Sequence, residues 1–337
     1  AAVLRATPYY LSGVGKSVII KFGPAEQIEA EASNFLAYVQ NFIGGSRNTV
    51  MLARNRTPRL AGIAYSLIGT ASHHLESFGS FYQRAEQEQI NQVISHVILE
   101  TCQQWYANAG RLALHELAGE YTKRLRLTPE NLEQALHDLK SAQGKTELHL
   151  ATLPGRVFTN PLPAIVGRRF NKTTYVCTTH GDLNENNFLI DEAGQTWLID
   201  FGNTGSGHIL RDVAELDAAV RIQLLTEDDA TLDERLMMEG ILCGAKNFGK
   251  LAEIEIKLTT QNPALTKAFA TTIHIRKLAH KLVERRPGDD MSDYQIALTY
   301  YALGYLRYYE LSRLQREHAL LSASLLVDNL QIGGSNV

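Results

Sequence analysis

The residues best placed to do chemistry lie in T-T-H-G-D-L-N-E-N-N-F-L-I-D, which ends at Asp191, and in W-L-I-D-F-G, Trp197 to Gly202. Together they give His-x-Asp, then Asn five positions after the Asp, then Asp-Phe-Gly closing the next apolar run. That order suits phosphoryl transfer. Asp182, heading a loop, is placed to orient a hydroxyl and accept its proton. Asn187, past a tight turn, can point an amide oxygen at Mg²⁺. Asp200 supplies a carboxylate to the same ion, with Gly202 nearby to let the backbone turn. The competing reading is a β-hairpin whose Asp and Asn residues only make turns. Correctly spaced polar positions between two apolar strands weigh against it. For His180 alone, a structural role outweighs a chemical one.

The segment resembles the protein-kinase-like superfamily, and within it the branch of aminoglycoside phosphotransferases and choline kinases, where H-G-D stands in place of H-R-D. The likeness is motif-specific over His180 to Asp212 and architectural over most of the chain. F-G-S-F-Y (Phe78 to Tyr82) and G-H-I-L-R-D-V-A-E-L-D further resemble ternary complex associated domain 9, a kinase-like module of large bacterial signalling or conflict proteins. The resemblance implies an α+β, bilobal protein-kinase-like fold. Residues 1–70 would form a small antiparallel β lobe on the nucleotide side, and residues 71–330 a large, mainly helical lobe carrying the catalytic and metal loops at 180–202. It implies ATP and Mg²⁺ as cofactors. Asp182 would be the catalytic base or hydroxyl-orienting carboxylate, with His180 supporting the catalytic loop. Asn187 and Asp200 would be the metal ligands. Asp212 would anchor the catalytic loop from the next helix, and its charge equally suits a helix N-terminus.

Two lysines stand in G-V-G-K-S-V-I-I-K-F-G, Gly13 to Gly23. Gly15-Lys16-Ser17 looks like the end of a P-loop, but the first glycine of that motif would fall on Tyr10, and Ser17 opens a strand rather than a helix. Lys16 is expected in a hairpin turn. Lys21 ends V-I-I-K, the position from which a strand lysine pairs phosphates and a helix glutamate. Among Glu26, Glu29 and Glu31, Glu31 shares the inward face with Ile28 and Phe35; Glu29 is the alternative. Lys21 and Glu31 are therefore the candidate nucleotide-side residues. The glycine-rich loop of kinase-like folds precedes the strand before V-I-I-K. That strand begins here at about Val3, so the expectation is a fragment of a longer protein, with neighbouring domains and an absent first strand and loop.

These residues need elements to position them. Val3 to Thr7 and Ser17 to Phe22 read as strands, as do Thr49 to Ala53 and Leu60 to Ile68. Glu26 to Ile43 reads as one helix, stopped by Gly44-Gly45-Ser46, and the second strand pair ends at Gly69-Thr70. Helices are expected from Ile90 to Ala107 and from Thr128-Pro129 to about Lys140. Ser141 to Lys172 reads as irregular connection. Short strands flank an Asp-Glu-Ala-Gly turn at Asn187 to Asp191 and Thr196 to Asp200. From Ile209 to Leu330 the pattern is helical, broken at Arg285 to Asp293.

Composition narrows the classes. The chain has 337 residues, 45% hydrophobic and 20% charged, with a net charge of −3. These totals fit a globular protein and give no reason to expect nucleic acid or an anionic membrane as partner. Three scattered cysteines argue against a disulfide framework or a cysteine zinc site and fit a reducing cytosol. No run is long and apolar enough for a membrane span, so no transmembrane helix is expected, and the cysteine usage makes the cytoplasm the expected setting. Only nine residues separate Gly202 from Asp212, A-P-E is missing, and Gly181 stands where an arginine would meet an activation-loop phosphate. The expected partners are thus a nucleotide and a small-molecule hydroxyl acceptor. Thr226 to Asp229 reads as a capped helix start rather than a cation trap, and the Tyr300 to Tyr309 run as core and surface. A nucleotide-binding pseudokinase or regulatory module is the alternative, and a purely structural domain is disfavoured by Asp182, Asn187 and Asp200 together.

Overall fold

In the computed structural model the described residues are 1–11, 13–15, 17–42, 49–66, 75–110, 112–139, 142–143 and 146–330. Lys16 and the stops expected at 44–46 and 69–70 lie outside them. The chain forms two compact units, each from two stretches: 1–110 with 177–207, and 111–176 with 208–337.

The first unit is built on a four-stranded antiparallel sheet. Val18–Pro24 pairs with Ala2–Ala6 on one side and Leu60–Ser66 on the other, and Met51–Arg56 forms the far edge. The register sets Val3, Lys21 and Ile63 in one cross-strand row and aligns Ile19 with Tyr65. Side chains alternate between faces, so Lys21 shares the face of Ile19, Ile63 and Tyr65. The helix Ala25–Asn34 packs on that side, burying Ile28, Glu31 and Ala32. Pro24 sits just before its first turn, where a fixed φ is harmless.

The single helix expected to Ile43 is interrupted. After Asn34 the backbone widens into a π-turn over Phe35–Val39, with Gln40 N–H donating to the Phe35 carbonyl. Such turns redirect backbone groups, and here the Tyr38 carbonyl accepts from the Trp105 indole at 2.7 Å. The helix expected from Ile90 is similarly divided into Gln87–His96, a π-turn Val97–Thr101, and Gln103–Ala107. His96 and Thr101 both meet the Thr196 hydroxyl, at 2.9 and 2.7 Å. Thr196–Leu198 pairs with Phe188–Ile190, which pairs in turn with Glu76–Ser77.

The second unit is mainly helical. Ser292–Tyr305 is buried from Asp293 through Tyr305 and forms its centre. The helices Leu117–Leu125, Arg211–Ala218 and Arg313–Asn329 pack against it. Thr128-Pro129-Glu130 starts the helix Pro129–Asp138 with a capping box closed by Asn131. Between 142 and 174 lie three short strands in one sheet, one helical turn at Leu162–Ile165, and the strand Asn171–Thr174. Thr226 to Asp229 closes a turn instead of starting a helix. Thr226 N–H and its hydroxyl both donate to Asp229, and the helix begins at Leu232 behind Thr231. Arg235, fully buried, holds that turn through the carbonyls of Leu225 and Ala230. Tyr300, Tyr301 and Tyr305 are buried, while Tyr308 and Tyr309 are exposed. Among the described residues no helix is long and apolar enough to cross a membrane, and the three cysteines are buried and joined by no disulfide.

Candidate active site

Lys21 is held between two carboxylates. Its Nζ stands 2.7 Å from Glu31 Oε2 and 2.9 Å from Asp200 Oδ1. Glu29, the alternative helix partner, instead faces Arg54 at 4.0 Å. Tyr65, across the sheet from Ile19, donates its hydroxyl to Glu31 Oε1 at 3.2 Å. Burial works against the Lys21 ammonium, but hydrogen bonds and charge from Glu31 and Asp200 outweigh it and hold its pKa above the ordinary value. Burial pushes the Glu31 carboxyl up despite Lys21, and the charge of Asp200 adds to that push. Burial and the Glu31 charge push the Tyr65 phenol up as well, which keeps its proton available for donation.

The remaining candidates lie on the loops around the Phe188–Ile190 and Thr196–Leu198 hairpin. Gly181 has φ +78°, a conformation that disfavours any side chain, which gives H-G-D a backbone reason for its glycine. Asn187 donates its amide to the Asp182 carbonyl at 2.8 Å, so its amide nitrogen is committed and its Oδ1 is directed elsewhere. Asn184 Nδ2 reaches Asp182 Oδ1 at 3.4 Å. His180 is fully buried and donates Nε2–H to the Ile199 carbonyl at 2.9 Å. Asp212 lies in the second unit, buried in the first turn of Arg211–Ala218.

The sharp turn after the second strand is made by Asp200, not by the glycine after Phe201. Asp200 has φ 64° and ψ 71°, and at Gly202 an added Cβ would meet only Asp200 Oδ1 at 3.5 Å and Glu31 Oε2 at 3.9 Å. In that conformation the Asp200 carboxylate pairs with Lys21. The Phe201 ring then packs 5.6 Å from His180 and 5.5 Å from Phe35, which lies 5.4 Å from Tyr65. Asn34 donates to the carbonyls of Gly202, at 2.9 Å, and Phe201, at 3.4 Å.

A cavity of about 310 Å³ is lined by Lys21, Glu31, Asn187 and Asp200, with Ile19 and Leu189 among its apolar walls. Asp182 and His180 are not among its lining residues. Among the described residues no group of three or more His, Cys, Asp or Glu side chains forms a ready-made metal cage. Asn187, whose amide nitrogen is committed, and the Asp200 carboxylate line a common cavity and fit Mg²⁺, which favours sparse protein ligation completed by phosphates and water. The residues missed in the sequence are Tyr65 and Asn34. Asn34 follows Glu31 at helical spacing, which is the signal that marks it. Tyr65 becomes visible only through strand register.

A strand lysine paired to a helix glutamate, beside the aspartate of Asp-Phe-Gly, is the protein-kinase-like arrangement. Among solved structures, amicoumacin kinase hAmiN, in complex with AMP-PNP, Ca²⁺ and Ami, is 12% identical, with 98% of this chain and 87% of that chain covered and a TM-score of 0.47. Choline kinase LicA from Streptococcus pneumoniae is 13% identical, with coverages of 97% and 94% and a TM-score of 0.39. No curated protein matches the chain. The sequence pattern of ternary complex associated domain 9 matches residues 1–152 and 127–307, well over half of the chain, and the chain belongs to that family.

Proposed function

We propose that this chain is an ATP- and Mg²⁺-dependent phosphotransferase whose acceptor is a small-molecule hydroxyl. The observation that carries the reading is Lys21, held charged between Glu31 and Asp200 in a cavity that Asn187 also lines. Fixed positive charge and metal-ready oxygens in one cavity are what phosphoryl transfer requires, since catalysis there is positioning and charge stabilisation. Mg²⁺ bound at Asn187 and Asp200 would neutralise charge on the nucleotide phosphates. Glu31 fixes the Lys21 ammonium for the α- and β-phosphates, and Tyr65 fixes Glu31. Asp182, its carbonyl tied to Asn187, orients the acceptor and takes its proton. The acceptor oxygen bonds to the γ-phosphorus as the bond to the ADP oxygen breaks. The short passage from Gly202 to Asp212 and Gly181 in place of arginine favour a compact acceptor over a peptide.

The test compares ATP-dependent phosphorylation of a panel of hydroxylated small molecules, aminoglycosides included, by the wild-type chain, Asp182→Ala and Asp200→Ala. Loss of about 10²-fold or more in Asp182→Ala is expected. Equal rates in all three overturn the reading. Nucleotide binding that Asp200→Ala abolishes, with no turnover in any form, favours the regulatory module.

A further inference from the structure

We infer that Asn34 is a positioning residue that aims the Asp200 carboxylate at the metal, an inference resting on the phosphotransferase reading above. Asp200 occupies a left-handed conformation that a residue with a Cβ holds only when its surroundings impose it. Lys21 restrains its side chain. The backbone just beyond is restrained from the helix. One Asn34 amide nitrogen carries two hydrogens, and two successive carbonyls, Phe201 and Gly202, lie 3.4 and 2.9 Å from it. The same helical face continues with the Phe35 ring against Phe201, and Tyr38 lies against Gly205, where a Cβ would stand 3.6 Å from the Tyr38 ring.

Glu31 and Asn34 are one turn apart on one helix. Glu31 sets the lysine that meets Asp200, and Asn34 sets the backbone that follows it, so a single rigid element controls both ends of the Lys21–Asp200 contact. The residue type is specific to this task. Asparagine is a poor helix former, and at this position only a short side chain with an N–H₂ donor serves two carbonyl acceptors. Aspartate has nearly the same shape and no donor.

The experiment titrates Mn²⁺ against the chain in the presence of ADP, read by electron paramagnetic resonance, for wild type, Asn34→Ala, Asn34→Asp and Asp200→Ala. Thermal melts and hydrogen exchange over residues 201–205 accompany it. Loss of a side chain that orients a metal ligand typically weakens metal binding about tenfold or more. Both Asn34 variants are expected to show that loss, with faster exchange over 201–205 and a melting temperature within about 4 °C of wild type. Mn²⁺ affinity within about twofold of wild type in both overturns this inference and leaves the phosphotransferase reading standing. Failure of both Asn34 variants to fold also overturns it, by making Asn34 a structural residue. No Mn²⁺ binding by wild type, or binding by Asp200→Ala equal to wild type, overturns the metal assignment and this inference with it.

Discussion

Asp200 and Arg126 are the non-glycine residues with positive φ among those described, and Asp200 lines the cavity that holds Lys21. Stored backbone strain at a cavity-lining carboxylate is a pattern of functional sites. It also separates two glycines that look equivalent in the sequence. Gly181, at φ +78°, is expected to lose about 1–2 kcal/mol on Gly181→Ala, because an L side chain in the left-handed region meets its own carbonyl. Gly202, where an added Cβ makes only ordinary contacts, is expected to stay within about 0.5 kcal/mol on Gly202→Ala. Urea denaturation of the two variants checks the pair, and equal losses would remove the assignment of the turn to Asp200. Lys21 was legible from V-I-I-K read together with the downstream His-Gly-Asp and Asp-Phe-Gly motifs, and Glu31 from helical spacing, which is local. The Tyr65–Glu31 and Asn34–Gly202 contacts were not, since partners 34 and 168 residues apart are joined only by tertiary structure.

At the scale of elements, the helix from Ala25 carries more than its glutamate. Its α-helical part presents Glu31 and Asn34, and its π-turn presents Phe35 and Tyr38. Phe35 is buried between Tyr65 and Phe201, joining sheet, helix and the turn after Asp200 in one aromatic cluster. Phe35→Ala should therefore cost about 3–5 kcal/mol in chemical denaturation, the range for emptying a buried aromatic site. A loss under about 1 kcal/mol would mean the cluster contributes little. The existence of this helix was readable from the spacing of its apolar residues. Its change of pitch was not, because a π-turn keeps the same apolar residues while altering only which carbonyl each N–H meets.

For the whole molecule, the net charge of −3 hides an uneven use of carboxylates. Burial alone would raise the Glu120 carboxyl, but the hydrogen bond with His115 and the charges of Arg211 and His208 bring it down to about 2. Glu239 and Asp293 are likewise held well below the ordinary carboxylate range, by Arg221 and His318 and by His208 and Arg286. All three belong to the second unit. A depressed folded-state pKa contributes stability above the unfolded value that is lost as pH falls through the folded one. The second unit should thus weaken progressively from about pH 4.5 downward, seen as protection lost first over residues 208–330 in hydrogen exchange at stepped pH. Uniform loss over both units would contradict this. That the first unit takes back residues 177–207 after the chain has contributed 111–176 to the other unit left no trace in composition or periodicity. It bears on the order of synthesis. Lys21, Glu31 and Asn34 leave the ribosome together, while Asp200 and Gly202 are translated after the whole 111–176 excursion. Such late, long-range closure is slow relative to local helix and hairpin formation. A nascent chain paused before residue 200 would carry a paired lysine and glutamate still awaiting their third partner.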